Sequence, residues 1–435
     1  MKNLLAGLLL LIVFTAHSQR GNVDSLKIKE LESQVNTLRY TELVQSMSQR
    51  SLLTPSYFQE LKALIARQAY SFWRENDSNP LVSHLNLYSA LYYANKFLGY
   101  DSVNRKSYNE ALGHNASVVS LQFSQDPDYF YSAGSDGRVM KWQLSTKGKT
   151  AELVYEGDHL IKSIDISTDD RWILVVTKNE GIVLIDNETE GEMGQGSQRQ
   201  VITDGELVQS AVFVPEEHRM LVVTKDGLIK SKGFGKEKQI GQTAQQVSSA
   251  IINKKNKDLY LGKSTGEVEL WEDTLSAKIY LEEAFAVNAM AISPDFKTLA
   301  IGREKGDIIL WDIENEEIIR TISGHQSAIT DLDFSPDNLM LLSSSRDRTV
   351  RVWEIANSKK LPLVLDDHND WVLTACFDPT GNQIISGSKD NYIRFWPVFH
   401  VTLANRICEL VERNLTKEEW DEYVGELIPY QTTCD

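Results

Sequence analysis

The sequence predicts a mainly-β fold: a radial repeat of seven multi-stranded units, preceded by an α-helical region and followed by a short helical tail. Three observations carry this. After residue 113, short alternating strands are separated by turns. One template then recurs; a clear copy runs Gly324-His325, Ala328 to Asp337, Leu341 to Asp347 and Val350 to Trp353. Its closing position falls at Trp142, Asp186, Lys232, Trp271, Trp311, Trp353 and Trp396, with gaps of 44, 46, 39, 40, 42 and 43 residues. Units of about 42 residues, each with several strands, mean a radial repeat.

Composition narrows the function classes. The 435 residues are 42% hydrophobic and 24% charged, which is globular composition. The 61 Asp and Glu outnumber the 45 Lys and Arg, for a net charge of −16. Nucleic acid or an anionic membrane needs a concentrated basic face, so neither is expected as a partner. Three cysteines are too few for a disulfide framework.

The N-terminus reads as an export signal over residues 1–18. Lys2 precedes an apolar run of 11 residues from Leu4 to Phe14, and Ala16-His17-Ser18 supplies small residues for cleavage before Gln19. The run is too short to span a bilayer, and no later stretch is apolar enough to do so. The protein is therefore expected to be exported to a compartment where disulfides are permitted; the resemblance of its tail, given below, implies a bacterial periplasm or cell envelope.

Residues 19–104 read as helical. Ile28, Leu31, Val35 and Leu38 are spaced for one helix. In a second, Thr54 is the expected cap, Pro55 suits the first turn, and Phe58, Leu61, Ile65, Ala69 and Phe72 share a face. A third opens at Asn79-Pro80, buries Leu81, Leu85, Tyr88 and Tyr92, and stops before Gly99. The last two should form a hairpin with an aromatic seam that includes Tyr57, Phe58, Phe72, Trp73, Tyr88 and Tyr93.

Residues 105–397 resemble the WD-repeat β-propeller family. Units 1, 6 and 7 carry the motif as Gly113-His114…Asp136…Trp142, Gly324-His325…Asp347…Trp353 and Asp367-His368…Asp390…Trp396. Units 4 and 5 keep the Trp and a turn glycine (Gly266, Gly306) but lack the His, and units 2 and 3 lack the Trp. The resemblance implies seven blades and a buried hydrogen-bond chain within a blade. His325, Ser343 or Ser344, Asp347 and Trp353 match it, as do His368, Ser386, Asp390 and Trp396. The His is expected to accept from the indole N–H and donate to the Asp. Unit 7 has no outer strand of its own, and Lys106 to Leu112 is expected to supply it and close the ring.

Residues 398–435 form the tail. Leu403, Ile407, Leu410 and Val411 share a helical face, and Thr416-Lys417-Glu418-Glu419 is a capping box. The tail resembles the ending of bacterial WD-repeat proteins related to STAND signalling ATPases. No Gly-rich phosphate loop is present, so the resemblance implies a packing role rather than an activity. The tail turns back at Gly425 and Pro429, which lets Cys408 meet Cys434, and the two are expected to pair.

No catalytic, cofactor-binding or metal site is expected. His114, His159, His325 and His368 follow the repeat into separate blades and cannot converge on one ion. Asp136, Asp226, Asp347 and Asp390 are turn acids, and Cys376 lies in an alternating strand where burial would leave it inert. Asn115, Asn187 and Asn414 match only the short glycosylation acceptor pattern. The resemblance implies that protein partners meet one channel rim, at Ser117, Leu207, Ala286, Ala328, Trp371, Ser135, Arg346 and Lys389. Trp371 beside Arg346 and Lys389 is the candidate partner site. The reading is a non-enzymatic scaffold for protein partners; a ligand- or glycan-sensing propeller and a propeller enzyme are the alternatives.

Overall fold

Short runs of branched and aromatic residues place alternate side chains on opposite faces, and here they pair into seven four-stranded antiparallel sheets. The structure, a computed structural model, describes residues 40–55, 57–76, 85–98, 110–146, 151–178, 181–187, 199–201, 207–215, 217, 219–233, 236–243, 246–272, 275–279, 285–356, 361–398, 400–426 and 428–434. The export signal, its cleavage point, the spacing around Ile28 to Leu38 and the Asn79-Pro80 helix start lie outside these residues. The described residues fall into two compact units, divided at Tyr108/Asn109 and at Val398/Phe399.

The larger unit is a seven-bladed β-propeller. The innermost strands are Val118–Phe123, Ile161–Ile166, Val208–Phe213, Val247–Ile252, Val287–Ile292, Ile329–Phe334 and Val372–Phe377. Each packs against the innermost strands of its two neighbours, which makes a ring. Side chains of these strands stitch the blades together. Lys162 Nζ donates to the Val208 carbonyl at 2.7 Å, Ser248 Oγ to Val287 at 2.6 Å and Thr330 Oγ1 to Val372 at 2.6 Å. Asp165 accepts the Phe213 N–H at 2.7 Å, and Asp333 that of Phe377 at 2.8 Å.

Ring closure follows the sequence expectation. Strand Glu110–Leu112 adds to blade 7 in the register Glu110↔Arg394, Ala111↔Ile393, Leu112↔Tyr392. Ala111 enters a core shared by blades 7 and 1, with Val118, Phe130, Trp142, Ile385 and Phe395. Glu110 meets the guanidinium of Arg394 at 3.1 Å, with their side chains 11% and 3% exposed.

One repeat marker needs correction. In blade 2 the residue opposite Ile173 is Ile185, the equivalent of Trp142 opposite Phe130, and Asp186 sits one place further along. The missing Trp is thus replaced by a fully buried Ile. Lys232, opposite Met220, does stand at the Trp position of blade 3.

The smaller unit joins the first helices to the tail. Helix α1 covers 40–53, α2 Gln59–Asn76 and α3 Leu85–Leu98, followed by α4 His400–Leu410 and α5 Lys417–Tyr423. Thr54 does not cap α2. Its hydroxyl bonds the Arg50 carbonyl at 2.8 Å and ends α1, and α2 begins after a turn in which Phe58 N–H reaches Pro55 O. Tyr57 and Phe58 are consequently exposed, outside the seam of Phe72, Tyr88, Leu91 and Tyr92. Asn95 Nδ2 ties α3 to α4 through the Leu403 carbonyl at 2.8 Å. Leu403 and Ile407 are buried, whereas Leu410 is largely exposed. Thr416 and Glu419 form the expected capping box, and buried Trp420 packs on Phe72 and Tyr430. Cys408 and Cys434 are bonded, with Cα atoms 5.4 Å apart, and Asn414 Oδ1 accepts the Thr433 and Cys434 N–H groups at 2.8 Å each.

The closure pair yields a test. Glu110→Ala removes the carboxylate 3.1 Å from a buried guanidinium and should cost about 3 kcal/mol in chemical denaturation. Glu156→Ala removes an exposed carboxylate 2.7 Å from Arg138 and should cost about 0.5 kcal/mol. Equal costs would show that the closure pair carries no special weight.

Candidate functional site

The rim is held by a polar chain inside the blade. In blade 6 the Trp353 indole N–H donates to Ser343 Oγ at 2.8 Å, and Ser343 Oγ lies 2.8 Å from His325 Nε2. His325 Nδ1 lies 2.8 Å from Asp347 Oδ2. An indole N–H can only donate, so the serine hydroxyl donates onward to Nε2, and Nδ1–H donates to the carboxylate. Blade 7 repeats this through Trp396, Ser386, His368 and Asp390 at 2.8, 2.8 and 3.0 Å. Blade 1 does so through Trp142, Ser132, His114 and Asp136 at 2.7, 2.7 and 3.0 Å.

This corrects the expected chain: the serine stands between indole and imidazole, and it is Ser343, because Ser344 bonds Thr330. The glycine before His has a reason too. A Cβ on Gly113 would sit 2.1 Å from the Trp142 ring. His159 is not part of the pattern. The three network histidines precede their first strands by four residues, whereas His159 precedes Ile161 by two.

Blades 2–5 lack the complete chain, although blades 4 and 5 keep its Trp as Trp271 and Trp311. Strand pairing puts Val175, Val222, Leu261 and Ile301 at the serine position. An apolar residue there removes the acceptor that indole and imidazole share. Buried charges take over in blade 4, where Lys263 meets Glu269 at 2.7 Å and Thr243 Oγ1 donates to Glu269 at 2.6 Å. In blade 5 Arg303 Nε donates to Asp307 at 3.0 Å.

Electrostatics fix the protonation states. Burial holds His114, His325 and His368 below the usual imidazole range, against the upward pull of their aspartates. Burial pulls Asp390 up, but the hydrogen bond and charge of His368 hold it at about 2. Asp347 is held well below the carboxylate range in the same way. Elsewhere in blade 6, burial pushes Asp331 up to about 6 and Asp333 up to about 7. Cys376 is partly buried, and burial with Asp333, Asp331 and Asp378 nearby raises its thiol pKa, which keeps it protonated. Among the described residues no group of three or more His, Cys, Asp or Glu is placed to hold a metal ion.

The network positions the rim. The carboxylates that take His325 and His368 also accept the N–H of Gln326 and Asn369, at 3.0 and 2.9 Å. They pin the loops that carry Ala328 and Trp371 to the turns that carry Arg346 and Lys389. One backbone bond repeats in all seven blades, from the residue after the second strand to the residue before the first. The pairs are Ser135–Ser117, Lys178–Leu160, Lys225–Leu207, Ser264–Gln246, Glu304–Ala286, Arg346–Ala328 and Lys389–Trp371, at 2.8–3.1 Å.

The candidate residues come together here. Lys389 Nζ lies 4.4 Å and Arg346 Cζ 5.2 Å from the Trp371 ring centre, with the indole 41% exposed. Each contact contributes about 0.5–1 kcal/mol at an exposed site, so the two cations together favour this position of the ring. Two carboxylates that sequence reasoning missed steady the cations: Glu304 at 3.3 Å from Arg346 and Asp370 at 3.7 Å from Lys389. Leu160 and Gln246 were missed as well, and the repeated backbone bond identifies them.

The protonation states predict how stability follows pH. The histidines are below their ordinary pKa in the fold, so their contribution is complete above about 6.5 and is lost as pH falls through that value. Asp331 and Asp333 act oppositely: they favour the native state increasingly as pH falls from about 7. Ser343→Ala should cost about 2 kcal/mol at pH 7.5, by leaving an indole N–H and an imidazole nitrogen unpaired. Asp333→Asn should steepen the acid loss measured by urea denaturation from pH 7.5 to 5. An unchanged slope would contradict the assigned states.

Comparison with known proteins agrees with this geometry. The family model described as "WD domain, G-beta repeat" matches residues 106–143, 316–354 and 359–397, which hold the three complete polar chains. The chain is 28% identical over 137 residues to WD repeat and SOCS box-containing protein 1 of Xenopus tropicalis, covering 30% of this chain and 32% of that protein. It is 36% identical over 105 residues to Transcription factor unc-37 of Caenorhabditis elegans, covering 24% and 17%. To a WD repeat-containing protein 26 homolog of Arabidopsis thaliana it is 23% identical over 281 residues, covering 61% and 46%. The matched segments span less than half the length of each of these relatives. The chain carries WD40 repeats, folded as a seven-bladed β-propeller.

Proposed function

We propose that this protein is a protein-interaction scaffold without catalysis of its own, exported to a bacterial periplasm or cell envelope, and that partners dock on the rim around Trp371. The observation that carries the docking site is the exposed indole held between two cations. A rigid aromatic face loses little entropy on binding, and it is the side-chain type enriched at the centres of interfaces. The WD40 repeats support the scaffold reading. Export rests on the leader sequence and is compatible with the Cys408–Cys434 bond, which persists in oxidising compartments. Among the described residues, no helix is long and apolar enough to cross a membrane.

Cross-linked capture of partners from envelope extract tests the docking site. Trp371→Ala should weaken recovery by about 2 kcal/mol or more while circular dichroism stays native. Arg346→Glu should act mainly on association rate and its salt dependence. Unchanged recovery with both variants removes the rim as the site.

N-terminal sequencing of the mature protein tests the compartment separately. Gln19 is the expected first residue. An intact Met1 in a cytosolic fraction would overturn export.

A further inference from the structure

The seven equivalent rim positions after the second strand are Ser135, Lys178, Lys225, Ser264, Glu304, Arg346 and Lys389. Four are cationic and one is acidic, on a chain whose net charge is −16. These seven positions therefore carry a positive excess on an acidic protein. Its cations form two groups. Arg346 and Lys389 are the pair around Trp371. Lys178 and Lys225 belong to blades 2 and 3, further round the ring.

The second group is the more unusual. Lys162, on the innermost strand of blade 2, reaches across to the Val208 carbonyl next to Leu207. Burial lowers its pKa, and the charges of Lys225 and Lys178 lower it further. Lys162, Lys178 and Lys225 thus stand at the same junction of blades 2 and 3. Arg346 and Lys389 each have a carboxylate beside them. Among the described residues, no carboxylate pairs with Lys178 or Lys225. Beside the lysines stand two exposed leucines, Leu160 at 47% and Leu207 at 54%. An apolar surface flanked by cations is the chemistry of the Trp371 site, repeated across the channel mouth.

We infer that blades 2 and 3 carry a second anchor, and that the partner presents an extended acidic segment running across the mouth from this anchor to Trp371. The inference rests on the docking reading above and adds the partner's chemistry. Carboxylates of the segment meet Lys178 and Lys225. An apolar side chain between them covers Leu160 and Leu207. A second cluster of carboxylates reaches Arg346 and Lys389. Nucleic acid suits the surface less well, because a long polyanion would be repelled by the acidic remainder of the chain.

The probe is a fluorescein-labelled synthetic peptide of about 12 residues, Glu-Glu-Leu repeated, which reaches about 40 Å when extended. Its controls are the Gln-Gln-Leu analogue and a single-stranded oligonucleotide. Anisotropy titrations use the full mature protein at about 50 and 200 mM salt, because screening should weaken the contact. The acidic peptide is expected to bind at least about tenfold more tightly than the neutral one. The doubly substituted Lys178→Glu, Lys225→Glu protein should lose about tenfold or more, as should Trp371→Ala.

Loss in both variants supports the two-anchor segment. Unchanged affinity in the lysine variant overturns it, and the Trp371→Ala result then shows separately whether the first anchor stands. Equal binding of the neutral analogue overturns the acidic chemistry. Tighter binding of the oligonucleotide overturns the choice of partner class. Lys178→Gln, Lys225→Gln serves if charge reversal disturbs folding, with the same expected direction.

Discussion

A sheet edge left open is a row of unpaired N–H and C=O groups, and every other feature of the propeller depends on that edge being covered. Here three residues cover it. Glu110–Leu112 adds the fourth strand of blade 7, and Ala111 joins the core that fuses blades 7 and 1. The covering strand comes from the opposite end of the propeller sequence, so blade 7 cannot finish before the chain has returned to its start. The Glu110–Arg394 pair adds a polar lock at the one junction that chain connectivity does not enforce. Buried pairs of this kind fix register more reliably than they add stability, because desolvation offsets much of their attraction.

The same reasoning explains why the indole–serine–imidazole–aspartate chain depends on its central serine. Each member satisfies a buried group of the next, and removing one leaves the others exposed to the cost of an unpaired polar atom. Blades 1, 6 and 7 keep all four members. Blades 2–5 place an apolar residue where the central serine would be, and blades 4 and 5 use buried cation–carboxylate pairs instead. The complete blades sit together around the closure, and they are the blades that carry Trp371 and its cations. Rigidity is thus concentrated where the ring is joined and where the candidate docking surface lies.

How much of this the sequence disclosed follows from the same physics. Seven blades and the closing strand were legible because strand alternation and the repeat length survive even where motifs erode. The rim residues of blades 6 and 7 were legible because the His and Asp that pin them are present. Leu160 and Gln246 stayed hidden, and the repeated backbone bond identifies their position. Asp186 was misplaced by one position because blade 2 has no Trp to mark the place that Ile185 fills, and a shift of one exchanges the two faces. Thr54 suits the end of one helix as well as the start of the next, and sequence spacing cannot tell a hydroxyl that looks back to Arg50 from one that looks forward. The exposed Tyr57 and Phe58 follow from that single reversal.

Charge placement completes the logic. The innermost strands carry ionisable side chains that would be costly if they were not used, and each is spent on a blade junction: Asp165 and Asp333 on amides of the next blade, Lys162 on a carbonyl of blade 3. Such contacts resist sliding of one blade past another, because a displaced strand would leave a charge beside an unpaired backbone group. Lys162 does a second thing in the same position. By reaching across the junction it brings its ammonium towards Lys225 and Lys178, so the contact that joins blades 2 and 3 also gathers positive charge at their rim. The junction and the surface above it therefore share a residue. Changes that disturb the seam of blades 2 and 3 must also alter the face it presents, whereas in blades 6 and 7 the junction residues Thr330, Asp331 and Asp333 are separate from Trp371, Arg346 and Lys389.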